Sequence, residues 1–171
     1  MYLRRKHPRL KDYDDSQSGY YFVTVCSNKR RNLFSCVVGR GLAPAEIRLT
    51  ECGKIIENEL LRLTERYPHV SIDKYVIMPN HFHAIIAIGE TAGASPRPTL
   101  CNIICAFKSL ATRECRKQYP DLQVFQTSYY EHVIRGDTDY REDWEYIENN
   151  PARWMEDDYY LQGNDDLPHI K

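Results

Sequence analysis

Two strand-like runs, Ile72 to Met78 and Phe82 to Ile88, flank the turn-forming Pro79-Asn80-His81. A β-branched, apolar pair of runs joined so tightly has one economical solution, an antiparallel hairpin, and a hairpin commits the chain to a sheet. Upstream, Tyr20-Tyr21-Phe22-Val23-Thr24-Val25-Cys26 is dense in aromatic and β-branched residues and follows Gly19, which predicts a central strand, turned around by residues 28–31. The stretch through Gly39, Gly41 and Pro44 is weakly patterned.

Between and after these strands the period changes. Ile56, Leu60, Leu63 and Tyr67 recur at three-to-four spacing, which predicts an amphipathic helix over 50–67, ending before Pro68. Leu100 to Gln118 repeats the pattern with Ile103, Ile104, Phe107, Leu110 and Ala111, and residues 89–98 between read as a loop. Val124 to Ile134 is expected to be extended, and a last helix is expected from Asp137, as its cap, to about Pro151. Strand, helix, hairpin, helix, strand, helix argues an α+β class, with an antiparallel sheet covered by helices. The chain of 171 residues is expected to be one domain, with a basic arm at 1–15 and a poorly patterned acidic tail at 155–171.

Charge is divided along the chain. Residues 1–136 hold 20 Lys/Arg against 13 Asp/Glu, and residues 137–171 hold 3 against 11. A polyanion would therefore meet the first part, which starts with Arg4, Arg5, Lys6, Arg9 and Lys11. No apolar run approaches the roughly 18 residues of a membrane span, and no signal-peptide stretch follows the first residues, so a cytoplasmic protein without a membrane partner is expected. Six cysteines contain no Cys-x-x-Cys pair and are read as reduced thiols, with Cys101 and Cys105 sharing a helix face.

His81-Phe82-His83 opens the second hairpin strand, where a period of two sends both imidazoles to one face and Phe82 to the other. Two converging nitrogens suit a divalent cation that keeps open positions, although two hydrogen-bonded histidines beside a turn have the same spacing. In the last helix Tyr140, Trp144 and Ile147 fall within about 60° of one another as the expected buried stripe. Tyr146 stands roughly 100° away, on a polar face with Asp139, Asp143 and Asn150.

At these residues the chain resembles a known family. Met78-Pro79-Asn80-His81-Phe82-His83-Ala84-Ile85-Ile86 and Tyr146-Ile147-Glu148-Asn149-Asn150-Pro151 are similar to segments of the single-tyrosine transposases of the His-hydrophobic-His class, especially the bacterial REP-associated tyrosine transposases. Two further segments match in order: Arg4-Arg5-Lys6 to Tyr13 followed by Gly19-x-Tyr21-Phe22-Val23-Thr24, and Tyr129-Tyr130-Glu131-His132-Val133-Ile134-Arg135. The likeness spans roughly residues 2–154 and leaves out the acidic tail. It implies a ferredoxin-like or RNA-recognition-like palm, with His81 and His83 as ligands of Mg²⁺ or Mn²⁺ and Tyr146 as nucleophile. Asn150 is the implied third ligand, although Pro151 is expected to push it away from helical geometry.

The implied activity is a metal-dependent single-strand DNA endonuclease and strand transferase that forms a 5′-phosphotyrosine, with REP-like hairpin DNA as partner and a monomer or homodimer as assembly. Arg4, Arg5, Lys6, Arg9, Lys108, Arg113, Arg116, Lys117 and Arg135 are candidates for the phosphate backbone, Glu131 and His132 for other DNA contacts, and Phe125, Tyr129 or Tyr130 for base stacking. The alternative is a non-catalytic RNA-recognition-like binding module. A phosphodiesterase with two histidine motifs ranks below both, because no Ser or Thr lies two residues after His81 or His83.

Overall fold

A computed structural model describes residues 17–39, 44–90 and 98–161. In chain order these form β1 (Gly19–Cys26), β2 (Ser35–Val38), β3 (Glu46–Leu49), α1 (Glu51–Leu61), α2 (Leu63–Arg66), β4 (Val70–Ile77), β5 (His81–Ile88), α3 (Leu100–Gln118), β6 (Tyr130–Ile134) and α4 (Asp137–Asn149), with short 3₁₀ turns at Asn28–Arg30 and Trp154–Glu156. Four strands make one antiparallel sheet in the order β4-β5-β1-β6, and β2-β3 form a separate hairpin. The α+β class expected from the sequence is thus the observed one. No helix among the described residues is long and apolar enough to cross a membrane.

The two central strands are buried on both faces, as their nearly continuous apolar runs require. Tyr21, Val23 and Val25 of β1 and Phe82, Ala84, Ile86 and Ile88 of β5 join the larger core with Ile56 and Leu60 of α1 and Ile103, Ile104 and Phe107 of α3. Phe22, Ile85 and Ile134 point the other way and meet Ile147 of α4. Each such side chain, withdrawn from water, contributes about 1.5–3 kcal/mol. The sheet therefore separates a layer of α1, α2 and α3 from a thinner layer made by α4. The second layer is the one the histidines face: β5 is paired with β1 so that His81 lies opposite Cys26 and His83 opposite Thr24.

Several local expectations are corrected. The helix expected over 50–67 is interrupted at Arg62, where α2 takes over. Its start is fixed by Thr50, whose hydroxyl accepts from the Gly53 amide at 3.0 Å, and by Gly53 itself, where a Cβ would lie 1.9 Å from the Phe34 carbonyl oxygen. The weakly patterned stretch after β1 contains the β2-β3 hairpin. In the segment expected to be extended over 124–134, only Tyr130–Ile134 is a strand, joined by an isolated bridge from Phe125 to Ser27. Asp137 is the first residue of α4 rather than its cap. Gly136 takes that position at φ +90°, a conformation side chains disfavour.

The orientation of α4 also differs from the apolar-stripe reading. Trp144 is 37% exposed, with the Lys74 ammonium 4.1 Å from its ring centroid. Asp143, Ile147 and Asn150 are the buried positions, so the helix turns much of its polar face toward the sheet. Cys101 and Cys105 do share a face of α3, with their sulfurs 3.9 Å apart. Among the described residues, which include all six cysteines, none forms a disulfide, although the sulfurs of Cys52 and Cys115 lie 3.1 Å apart between α1 and α3.

Candidate active site

His81 and His83 are completely buried, with ring centroids 4.5 Å apart and their Nε2 atoms 2.9 Å apart. Asn80 sets the tautomer of His81, and Thr24 bears on that of His83. The Asn80 amide donates to the carbonyls of Tyr159 at 2.8 Å and Arg30 at 3.4 Å, so its oxygen accepts from Nδ1–H of His81 at 2.8 Å. That leaves Nε2 of His81 with a lone pair. Nδ1 of His83 lies 2.8 Å from the Thr24 hydroxyl, which itself hydrogen-bonds the Tyr159 phenol. With the Thr24 proton turned to Tyr159, His83 donates from Nδ1 and presents Nε2 toward the same space. Burial, reinforced by Arg30, pushes His81 down to about 3. Burial, then His81, holds His83 well below its ordinary value, so both rings are neutral at pH 7.

The tyrosine helix meets this pair. Tyr146 packs edge-on to His83 with centroids 5.1 Å apart and lies 6.0 Å from Phe22. Asn150 follows one turn later and is buried. Pro151 does not displace it, since Asn150 keeps helical φ and ψ of −58° and −42°; α4 closes around it before the chain turns. Its amide donates to Oδ2 of Asp157 at 2.6 Å, while its Oδ1 is buried with no hydrogen-bond partner. The donor set thus fits a divalent cation: the two Nε2 atoms face one another and, in the tautomers that leave both unprotonated, present two lone pairs to one ion, while the buried Asn150 amide oxygen lacks a donor. Their 2.9 Å separation is also roughly the edge of an octahedron with 2.1 Å bonds.

Sequence reasoning missed Asp157. Its carboxylate accepts from the Tyr146 hydroxyl at 3.4 Å and from the Tyr159 amide at 2.7 Å, and it groups with His81 and His83, all ligand atoms within 4.8 Å of one another. Only the negative charge of the tail pointed to this segment, because it has no periodic pattern. Tyr159 lies over the imidazoles, 4.4 Å from His81 and 6.0 Å from His83, with the Arg30 guanidinium 5.1 Å from its centroid. Burial pushes the Tyr159 phenol up to about 12. Tyr146 is driven far above its ordinary value, first by burial and then by the Asp157 charge. Beside Tyr146 opens a cleft of about 490 Å³ whose walls include Glu142, Glu145, Arg153, Glu156 and Asp158.

The other candidate residues scatter. Arg4, Arg5, Lys6 and Arg9 lie outside the described residues. Lys108, Arg113, Arg116 and Lys117 belong to α3, across the sheet from the histidines. Lys108 donates to the carbonyls of Gln126 and Thr127, Arg116 to that of Leu122, and Arg113 and Lys117 pair with Glu114. Glu131 is buried and accepts from Tyr129. His132 is held by Asp139, whose negative charge is the opposite of what a phosphate-binding ring needs. Arg135 is exposed at the end of β6. Phe125 packs between Phe34 and Phe107, Tyr129 is buried, and Tyr130 is partly buried beside the smaller core.

No family model matches the chain. It is 32% identical over 173 residues to an uncharacterized protein of Haemophilus influenzae, covering 92% of this chain and 93% of that one. The solved structure of the REP-associated tyrosine transposase bound to a REP hairpin is similar with a TM-score of 0.60 at 21% identity, over 98% of this chain and 81% of that chain. The chain therefore belongs to one family with the Haemophilus influenzae protein, and its fold is that of the REP-associated tyrosine transposase.

Proposed function

We propose that the chain is a metal-dependent single-strand DNA endonuclease and strand transferase acting on hairpin DNA. The observation that carries this reading is the meeting of the Tyr146 ring, from α4, with the His81 and His83 pair on β5. In the proposed reaction Tyr146 Oη bonds to phosphorus as the bond to the 3′-oxygen breaks. The products are a 5′-phosphotyrosine and a strand ending in a 3′-hydroxyl once that oxygen takes up a proton. The phenol proton must leave, and Asp157, already hydrogen-bonded to that hydroxyl, is an acceptor in place. Attack of another 3′-hydroxyl on the phosphotyrosine restores the phenol and joins DNA without an external energy source.

His81, His83 and Asn150 would hold Mg²⁺ or Mn²⁺, which when bound would offset charge on the phosphoryl oxygens. Thr24 and Asn80 orient the imidazoles from behind, a role in which partners matter nearly as much as ligands. The strand reaches His81 only after Tyr159 has moved off that ring. REP hairpins are the DNA of the structural neighbour, and hairpin DNA with an unpaired flank is the substrate proposed here.

The test is a 3′-labelled hairpin oligonucleotide incubated with the full chain and Mn²⁺, with and without EDTA. Cleavage that EDTA abolishes is expected. Binding indifferent to EDTA, with no cut product from either strand, would instead identify a non-catalytic binding module.

A further inference from the structure

A second cluster of ligand-type atoms lies at the other end of α4. His132 of β6 projects toward that helix, and its Nε2 is 2.9 Å from both carboxylate oxygens of Asp139 and 4.0 Å from Oδ2 of Asp143. Asp139 and Asp143 are four residues apart and so share a helix face, and one atom from each of the three residues lies within 4.8 Å of the others.

The unusual member is Asp143. It is 4% exposed, and its Oδ2 is buried with no hydrogen-bond partner. One imidazole N–H cannot serve both acids: its proton is directed at Asp139, which the Arg135 amide also holds at 2.7 Å, and the 4.0 Å to Asp143 is too long for a hydrogen bond. Two neighbouring carboxylates, one of them buried with an oxygen that accepts no hydrogen bond, are costly to keep charged, and a bound cation offsets that cost as a proton would. Tetrahedral Zn²⁺ with bonds near 2.05 Å separates its ligand atoms by roughly 3.3 Å. The observed 2.9 and 4.0 Å from His132 bracket that value, and all three ligand atoms lie within 4.8 Å of one another.

We propose that His132, Asp139 and Asp143 form a second divalent-cation site, suited to Zn²⁺, that fastens the helix carrying Tyr146 to strand β6. The site is separate from the His81 and His83 pair and stands whether or not that pair binds metal. Its role is positional, since it joins α4 to the sheet one turn before the tyrosine.

The full chain, stripped of metal, is titrated with Zn²⁺ alone, and bound metal is counted by equilibrium dialysis while melting temperature is followed. Wild type is expected to bind two equivalents. Asp143→Asn and His132→Asn should each bind one fewer and lose part of the melting-temperature rise, whereas His83→Gln should retain this site and its share of the rise. Circular dichroism on each variant verifies that it folds, and anomalous diffraction from Zn²⁺-soaked wild-type crystals gives a reading that needs no variant. A peak among the three side chains is expected. Its absence at millimolar Zn²⁺, or unchanged stoichiometry in both Asp143→Asn and His132→Asn, would overturn the inference. Loss confined to His83→Gln would overturn it while leaving the nuclease reading intact, and loss confined to the Asp143 and His132 variants would do the reverse.

Discussion

Asp157→Asn isolates the charge that the tail brings to the tyrosine. The carboxylate oxygen lies 3.4 Å from the Tyr146 hydroxyl. Two unit charges roughly 4 Å apart at an effective dielectric of 20 repel by about 4 kcal/mol. Because Tyr146 is only partly buried, solvent reduces this to roughly 1.5–3 kcal/mol, which at about 1.4 kcal/mol per unit is one to two units of pKa. The charge disfavours phenolate, so removing it lowers the Tyr146 pKa by that amount, while burial keeps it above an ordinary tyrosine. The amide keeps the side chain's size and can still accept from Asn150. The assay is ¹⁹F NMR of protein containing 3-fluorotyrosine, whose phenol is more acidic than that of tyrosine, with the Tyr146 signal identified by its loss in Tyr146→Phe. A Tyr146 titration that Asp157→Asn leaves in place would refute the electrostatic account of this contact.

Tyr159→Ala uncovers His81 and is expected to raise the rate of hairpin cleavage severalfold at subsaturating DNA; an unchanged or lower rate would contradict the covering role of that ring. The buried histidines make the metal-free protein acid-labile. Their folded pKa values are depressed, so the unfolded chain alone takes up protons below about 6.5, and stability present above that pH is lost as pH falls toward 3. At pH 5 the loss is about 2 kcal/mol per histidine, read by urea unfolding in EDTA, and a His83→Gln protein should lose roughly half as much over the same range. Gly53→Ala should destabilise by about 1–3 kcal/mol in the same assay, since its Cβ meets backbone rather than a side chain that can move.

The parts of the fold legible in the sequence are those where one pattern dominates. The β4-β5 hairpin and α3 follow their periods closely, and His81 and His83 point together because a strand admits nothing else. The β2-β3 hairpin is not legible in the sequence because each strand has only four residues and carries no sustained alternation. The rotation of α4 departs from its apolar stripe for a different reason. The hydrophobic stripe assumes that apolar residues face the sheet, yet Asp143, Tyr146 and Asn150 are turned inward among the histidine and carboxylate groups, and Trp144 is left outside under Lys74. Helices that carry a site depart from the packing rule where the site needs polar atoms inside. Asp157 was not recoverable, because an irregular segment places its side chains by tertiary contact alone.

The central claim is that Tyr146 becomes covalently joined to DNA at the histidine pair. A 3′-labelled hairpin oligonucleotide incubated with the full chain and Mn²⁺, quenched in denaturant and resolved by gel, with the labelled peptide mapped by mass spectrometry, tests it directly. A protein–DNA adduct is expected on the peptide containing Tyr146, absent in Tyr146→Phe and lost with EDTA. An adduct persisting in a folded Tyr146→Phe protein, or mapping to another residue, would contradict it.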